Sequence, residues 1–246
     1  MRPLLMAIAN GFEPRQAVES LGFLVSLAVR ILIASSTRTS STEIPLALAA
    51  KAVFERSIET APQLREFLAT LTPTDVVFRA AFATAHVSNV PHARYYLRSL
   101  EATARKEPDP WFIPQSDPAF INLEHILPKK PEGNWPQFDE DEAALLTTRI
   151  GNLALVKTTD NADLKSLPFS EKTAVFRESL YETTRQVSDF PDWTPEAIAR
   201  RQDYLAELAV RTWPVKRATT PKRSPDEDEE DINDAASRIM REATDT

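Results

Sequence analysis

Apolar positions recur at helical spacing through the first third of the chain. "LGFLVSLAVRILIA", 21–34, is the most apolar stretch, and the reading extends it to a helix over 15–35 with Arg15, Glu19 and Arg30 on the remaining face. "SSTRTSSTE", 35–43, is polar and reads as a loop, and "IPLALAAKAVFERSI", 44–58, resumes helical patterning. "TAPQ", 60–63, has the form of a capping box, with Thr60 as cap and Gln63 three residues on. "TPTD", 72–75, predicts a helix start with Thr72 as cap, Pro73 in the first helical position and Asp75 in the first turn. A further helix is expected over 92–105.

The texture changes at "KEPDPWFIPQSDP", 106–118, where four prolines argue for a linker or an irregular strap. "AFINLEHIL", 119–127, has strand character, "EGNWPQFDEDE" is loop, and "AALLTTRI" is a short helix. "NLALV", 152–156, is a second strand, opened by Gly151, which marks a tight backbone approach. Ser170 is expected to cap one helix through "EKTAVFRESLYETTRQV". "WTPEAIARRQDYLAELAVRTW", 193–213, predicts a helix capped by Thr194 and started by Pro195. The fold class is thus mainly α. A helical bundle over 1–110 precedes a smaller α/β segment over 111–215, and 216–246 forms a disordered acidic tail.

Charge narrows the function classes. The 246 residues carry a formal net charge of −7. Segments 1–110, 111–215 and 216–246 hold 12 basic against 10 acidic, 11 against 17, and 6 against 9 side chains, or +2, −6 and −3. That is not the footprint of a protein holding nucleic acid by bulk electrostatics, so any such contact is local, metal-assisted or helped by a partner. The absence of cysteine excludes disulfides and thiolate metal sites. The apolar run 21–34 reads as too short to span a bilayer, and Arg30 interrupts it. No signal peptide is read at the start. The expectation is a cytoplasmic protein with no membrane partner.

Four chemical features fall in order within 111–215: Glu124-His125 followed by Pro128, Asn152 in "RIGNLALV", Asn161 in "TTDNADLK", and Lys172 ending "PFSEK". A strand, a loop, a second strand and a helix would gather them around one site. Phosphodiester hydrolysis uses such groups. A neutral imidazole takes a proton from water. Glu124 and the Asn161 amide oxygen suit a hard divalent cation. Asn152 can hold the His125 loop through side-chain to backbone hydrogen bonds, and Lys172 can meet a phosphate as a point charge.

These motifs, with the last helix, resemble the C-terminal HNH-type (His-Me finger) domain of GmrSD-type modification-dependent restriction proteins. The resemblance covers roughly 111–215, and 1–110 is similar to the connecting helices that precede the nuclease domain in that family. HNH nucleases pair an acid with His, place Asn in an "NL" strand, and have His or Asn nine residues later; Asn152 and Asn161 have that spacing. The resemblance implies a ββα-metal fold and a metal-dependent DNA endonuclease in defence against foreign or modified DNA. It implies His125 as general base, Glu124 and Asn161 as ligands of Mg²⁺ (or Mn²⁺), Asn152 as the group that orients the base, and a weaker carry-over to Lys172. Two departures stand out. The third motif residue is Asn161 rather than His. No segment resembles the ParB/sulfiredoxin-like domain that full-length members carry for nucleotide hydrolysis. The alternative is a non-catalytic or split subunit that needs a partner supplying that domain.

Other groups read as structural. A strand histidine taken alone is usually a packing residue. His86 and His92 have no metal-ligand partners at useful spacing. "HARYYLRSL" reads as a half-buried packing face and Arg200-Arg201 as a solvated helix face. "DEDEEDIND" reads as solvated disorder.

Overall fold

Ten α-helices and one antiparallel strand pair are built from the described residues of the computed structural model, which are 1–34, 40–106, 121–131, 133–158, 164 and 167–215. The helices are α1 Arg2–Gly11, α2 Pro14–Ala34, α3 Ser40–Phe54, α4 Ala61–Phe67, α5 Asp75–Phe82, α6 Val90–Ala104, α7 Glu140–Leu146, α8 Phe169–Arg177, α9 Glu182–Arg185 and α10 Pro195–Thr212. The strands are β1 Ile121–His125 and β2 Leu153–Lys157. The mainly α reading therefore holds. Asn161, the strap read over 106–118 beyond Lys106, and the acidic tail over 216–246 lie outside the described residues.

Local signals set several boundaries. Thr60 and Gln63 form the reciprocal capping box at α4. At α10, Thr194 accepts from the Ala197 N–H, with Pro195 in the first turn. The loop read over 35–43 gives way to α3 from Ser40, and three further expectations about these helices need correction. The cap of α5 is Thr74, whose Oγ1 accepts from the Val77 N–H at 3.3 Å. Thr72 instead closes the preceding turn by donating to the Leu68 carbonyl at 2.8 Å. The helix expected from Ser170 through Val187 is broken, and Ser170 sits inside α8 rather than capping it. The break arises because Tyr181 is buried and the Glu101 carboxylate of α6 accepts the N–H groups of Glu182 and Thr183 at 2.6 and 2.9 Å, so a new helix starts there.

The third correction concerns Arg30, which is fully buried rather than solvent-facing. Its guanidinium donates to the carbonyls of Trp213 and Pro73 and to Asp75 Oδ1 at 2.8, 2.9 and 2.6 Å, and lies over the Phe78 ring. Helix α2, at 21 residues, is long and apolar enough by composition to cross a bilayer. Its Arg30 end is nonetheless tied by these bonds to α5 and the end of α10.

The two strands pair in the register His125↔Leu153, Glu124↔Ala154 and Leu123↔Leu155. Each face of the pair is buried. Ile121, Leu123, Leu153 and Leu155 belong to one core with Phe78, Tyr96, Leu205 and Trp213. Ala154 and Val156 belong to a second core with Ile126, Trp135, Phe169, Phe176 and Trp193. Two-residue periodicity along a strand splits its side chains this way. The first core draws on residues from both sides of position 110, and a third core packs α1 to α4 around Leu4, Leu27 and Leu64.

Candidate active site

Glu124 and His125 end β1, and the chain then turns through Ile126 and Leu127, both fully buried. What holds that turn is Asn152, itself 0% exposed. Its backbone carbonyl accepts from the Ile126 N–H at 2.9 Å. Its side chain grips Leu127 on both sides: Oδ1 accepts the Leu127 N–H at 2.8 Å and Nδ2 donates to the Leu127 carbonyl at 2.9 Å. Nδ2 also reaches the Thr147 carbonyl at 3.4 Å, and the buried Trp193 indole N–H donates to Oδ1 at 3.0 Å. A primary amide carries two donors and two acceptor lone pairs, so this hub uses its capacity nearly in full.

Gly151, just before the hub, is a residue no other type can replace without displacement. A Cβ there would lie 2.4 Å from the Ile198 carbonyl oxygen and 2.8 Å from Gln202 Cβ. The close approach read from the sequence is therefore real, and its partner is α10. Gln202 meets the same loop: Oε1 accepts from Gly151 N–H and Arg149 Nε, while Nε2 donates to the carbonyls of Phe82 and Ala85. Arg201 is buried rather than solvated, and donates to the carbonyls of Gly151, Leu153 and Thr183. Burial lowers its guanidinium to about 10. Arg200 remains exposed on the outer face.

Lys172, fully buried in α8, reaches β1 from the other side. Its ammonium donates to Glu124 Oε1 at 2.5 Å and to the His125 carbonyl at 3.1 Å, with the Trp135 ring 5.8 Å away. Burial shifts both partners toward neutrality: Glu124 is raised despite Lys172, and Lys172 is lowered despite Glu124. The His125 imidazole is held down to about 4, first by burial and then by the positive charges of Lys129 and Lys172. Near neutral pH it is an uncharged imidazole that can accept a proton.

The structure thus brings together Glu124, His125, Asn152 and Lys172, while Asn161 falls outside the described residues. His86 lies elsewhere, bridged to Arg149 and bonded to Thr148 Oγ1. Among the described residues no three His, Asp or Glu side chains gather into a metal-binding group. Glu124 offers the hard oxygen donor that Mg²⁺ takes, but Lys172 already holds one of its two oxygens. Sequence reasoning missed Trp193, Gln202, Arg201 and Glu101. A buried indole N–H needs an acceptor, and the tryptophan just before the Thr194 cap was the signal available for Trp193.

The family model for the GmrSD restriction endonucleases, C-terminal domain, matches residues 72–208, more than half of the 246. The chain belongs to this family. None of the curated proteins compared with it matches. The GmrSD match begins just before α5 and ends within α10, so it contains both strands, Asn152, Lys172, Arg201 and Gln202. The family is one of restriction endonucleases, which makes this a nuclease-type domain with DNA as its substrate.

Proposed function

We propose that the chain is a metal-dependent DNA endonuclease of the HNH, or ββα-metal, type, acting in restriction of foreign or modified DNA. The observation that carries this reading is the neutral, half-buried His125 at the end of β1, fixed from one side by the Asn152 hub and from the other by Lys172. The β1–β2 pair followed by α8 is the order of elements that a ββα unit requires.

In this mechanism His125 removes a proton from a water, and the resulting hydroxide attacks the scissile phosphorus as the bond from phosphorus to the leaving oxygen breaks and that oxygen takes up a proton from solvent. Asn152 sets the position of the imidazole by fixing the backbone of the turn after it. Lys172 fixes the His125 carbonyl and balances Glu124, so it is a positioning residue rather than a phosphate contact. Glu124 and Asn161 would hold Mg²⁺ or Mn²⁺, donors of the carboxylate and amide oxygen type that hard cations take. When bound, such an ion supplies charge stabilisation at the phosphate and the leaving oxygen.

Cleavage of phage or plasmid DNA by the full chain, with and without Mg²⁺ or Mn²⁺, tests the proposal. The expected result is cleavage that EDTA abolishes and that Glu124→Gln and Asn161→Ala shift to higher metal concentration. Cleavage unaffected by EDTA would refute the metal dependence.

A further inference from the structure

Beside the site, on the outward flank of α8, lies a groove of about 490 Å³ that the proposed mechanism does not use. Its size falls in the range of small-ligand pockets. Helix periodicity connects it to the site: Phe169, Lys172 and Phe176 form the buried face of α8, and Ser170, Thr173 and Arg177 form the adjacent stripe lining the groove.

The chemistry of the lining is unusual for a protein that must meet DNA. Thr173 Oγ1 donates inward to the Ser170 carbonyl at 2.8 Å, and Ser188 Oγ donates to the Arg185 carbonyl at 2.7 Å. Both hydroxyls therefore keep only acceptor lone pairs for a ligand. Gln137 spends an Nε2 hydrogen on the Trp193 carbonyl at 3.1 Å, which leaves Oε1 without that constraint. Arg177 and Asp192 line the groove with opposite charges, and Phe190 supplies an aromatic wall. A phosphate track needs net positive charge, and in this lining Asp192 offsets Arg177. Acceptors beside an aromatic wall instead match a flat ring that carries an amino group.

We infer that this groove binds a nucleobase bearing an exocyclic amine, such as cytosine or adenine, from an unpaired or extruded nucleotide of the DNA strand. Thymine has no such amine and is discriminated against. The inference rests on DNA being the substrate, and it adds a base-reading site to that reading.

The test is fluorescence anisotropy of the full chain with 5′-fluorescein dC12, dA12 and dT12 in EDTA, so that binding is read without cleavage. Binding of dC12 and dA12 is expected to be about tenfold tighter than that of dT12, the discrimination of one good base contact. Gln137→Leu, Thr173→Val and Ser188→Ala together should bring the three oligonucleotides within twofold. Thr173→Val alone, a hydroxyl-to-methyl change at a half-exposed position, should lower the dC12 to dT12 ratio at least threefold if the combined variant does not fold. Equal binding of all three by the wild type, no binding at all, or a ratio that survives Thr173→Val overturns the inference. His125→Ala must keep the ratio. A ratio without cleavage therefore sinks the nuclease reading alone, and cleavage without a ratio sinks the groove alone.

Discussion

Asn152→Ala should be among the most destabilising single changes in this protein. The substitution deletes a fully buried amide and strands three buried groups at once: the Leu127 N–H, the Leu127 carbonyl and the Trp193 indole N–H. Each buried polar group left without a partner costs about 1–3 kcal/mol. Three of them give roughly 3–6 kcal/mol after partial relaxation, a large share of the ~5–15 kcal/mol by which domains of this kind are stable. Equilibrium urea unfolding followed by far-UV circular dichroism measures the loss. Asn152→Asp separates the roles, because it keeps the acceptor for Leu127 N–H and Trp193 but sets a carboxylate against the Leu127 carbonyl. It should fall between wild type and the alanine variant at neutral pH. A loss below about 1 kcal/mol for Asn152→Ala would refute the idea that this residue holds the turn after His125.

Lys172→Met should destabilise by about 3–5 kcal/mol, because it leaves Glu124 buried without its cation, and Glu124→Leu added to it should recover most of that loss in urea titrations. Gly151→Ala should cost about 2–3 kcal/mol or more, since the new methyl meets the backbone carbonyl of Ile198, which cannot swing aside; an unchanged melting temperature would contradict this. In EDTA, His125 should make folding acid-sensitive. Its folded value of about 4 lies below the unfolded 6.5, so the unfolded chain binds more protons between these pH values. That contribution is intact above about pH 6.5 and is lost as the pH falls to about 4, amounting to roughly 3 kcal/mol. His125→Gln should lose correspondingly less stability over the same window, and parallel pH profiles for the two proteins would count against the shift.

Short-range chemistry was the legible part of this chain. The Thr60–Gln63 box and the Thr194-Pro195 start need only a few neighbouring residues, and both are present in the structure. The strand pair was readable because each strand falls in an apolar run, though β2 begins one residue later than its pattern suggests. Glu124, His125, Asn152 and Lys172 could be placed on neighbouring elements because a strand-strand-helix order leaves few ways to arrange them.

What stayed hidden are the polar residues that work at long range. Arg30, Glu101, Arg201 and Gln202 look like surface residues in any local window. Each is buried because its partners lie far along the chain: Trp213 for Arg30, Glu182 and Thr183 for Glu101, Gly151 and Leu153 for Arg201, and Phe82 for Gln202. Periodicity reports which face of a helix is apolar. It does not report that a carboxylate will cap another helix or that a guanidinium will bind backbone carbonyls. The break between α8 and α9 was missed for the same reason, since its cause is Glu101 on α6.

The central claim is that His125 is the base of a DNA-cutting site. The most direct test is the single-turnover rate of DNA cleavage in Mg²⁺ or Mn²⁺ by wild type and His125→Ala, with circular dichroism confirming that both are folded. General-base catalysis by one side chain contributes about 10²–10⁴-fold, so a loss of that size is predicted. Equal rates for the two proteins would contradict it.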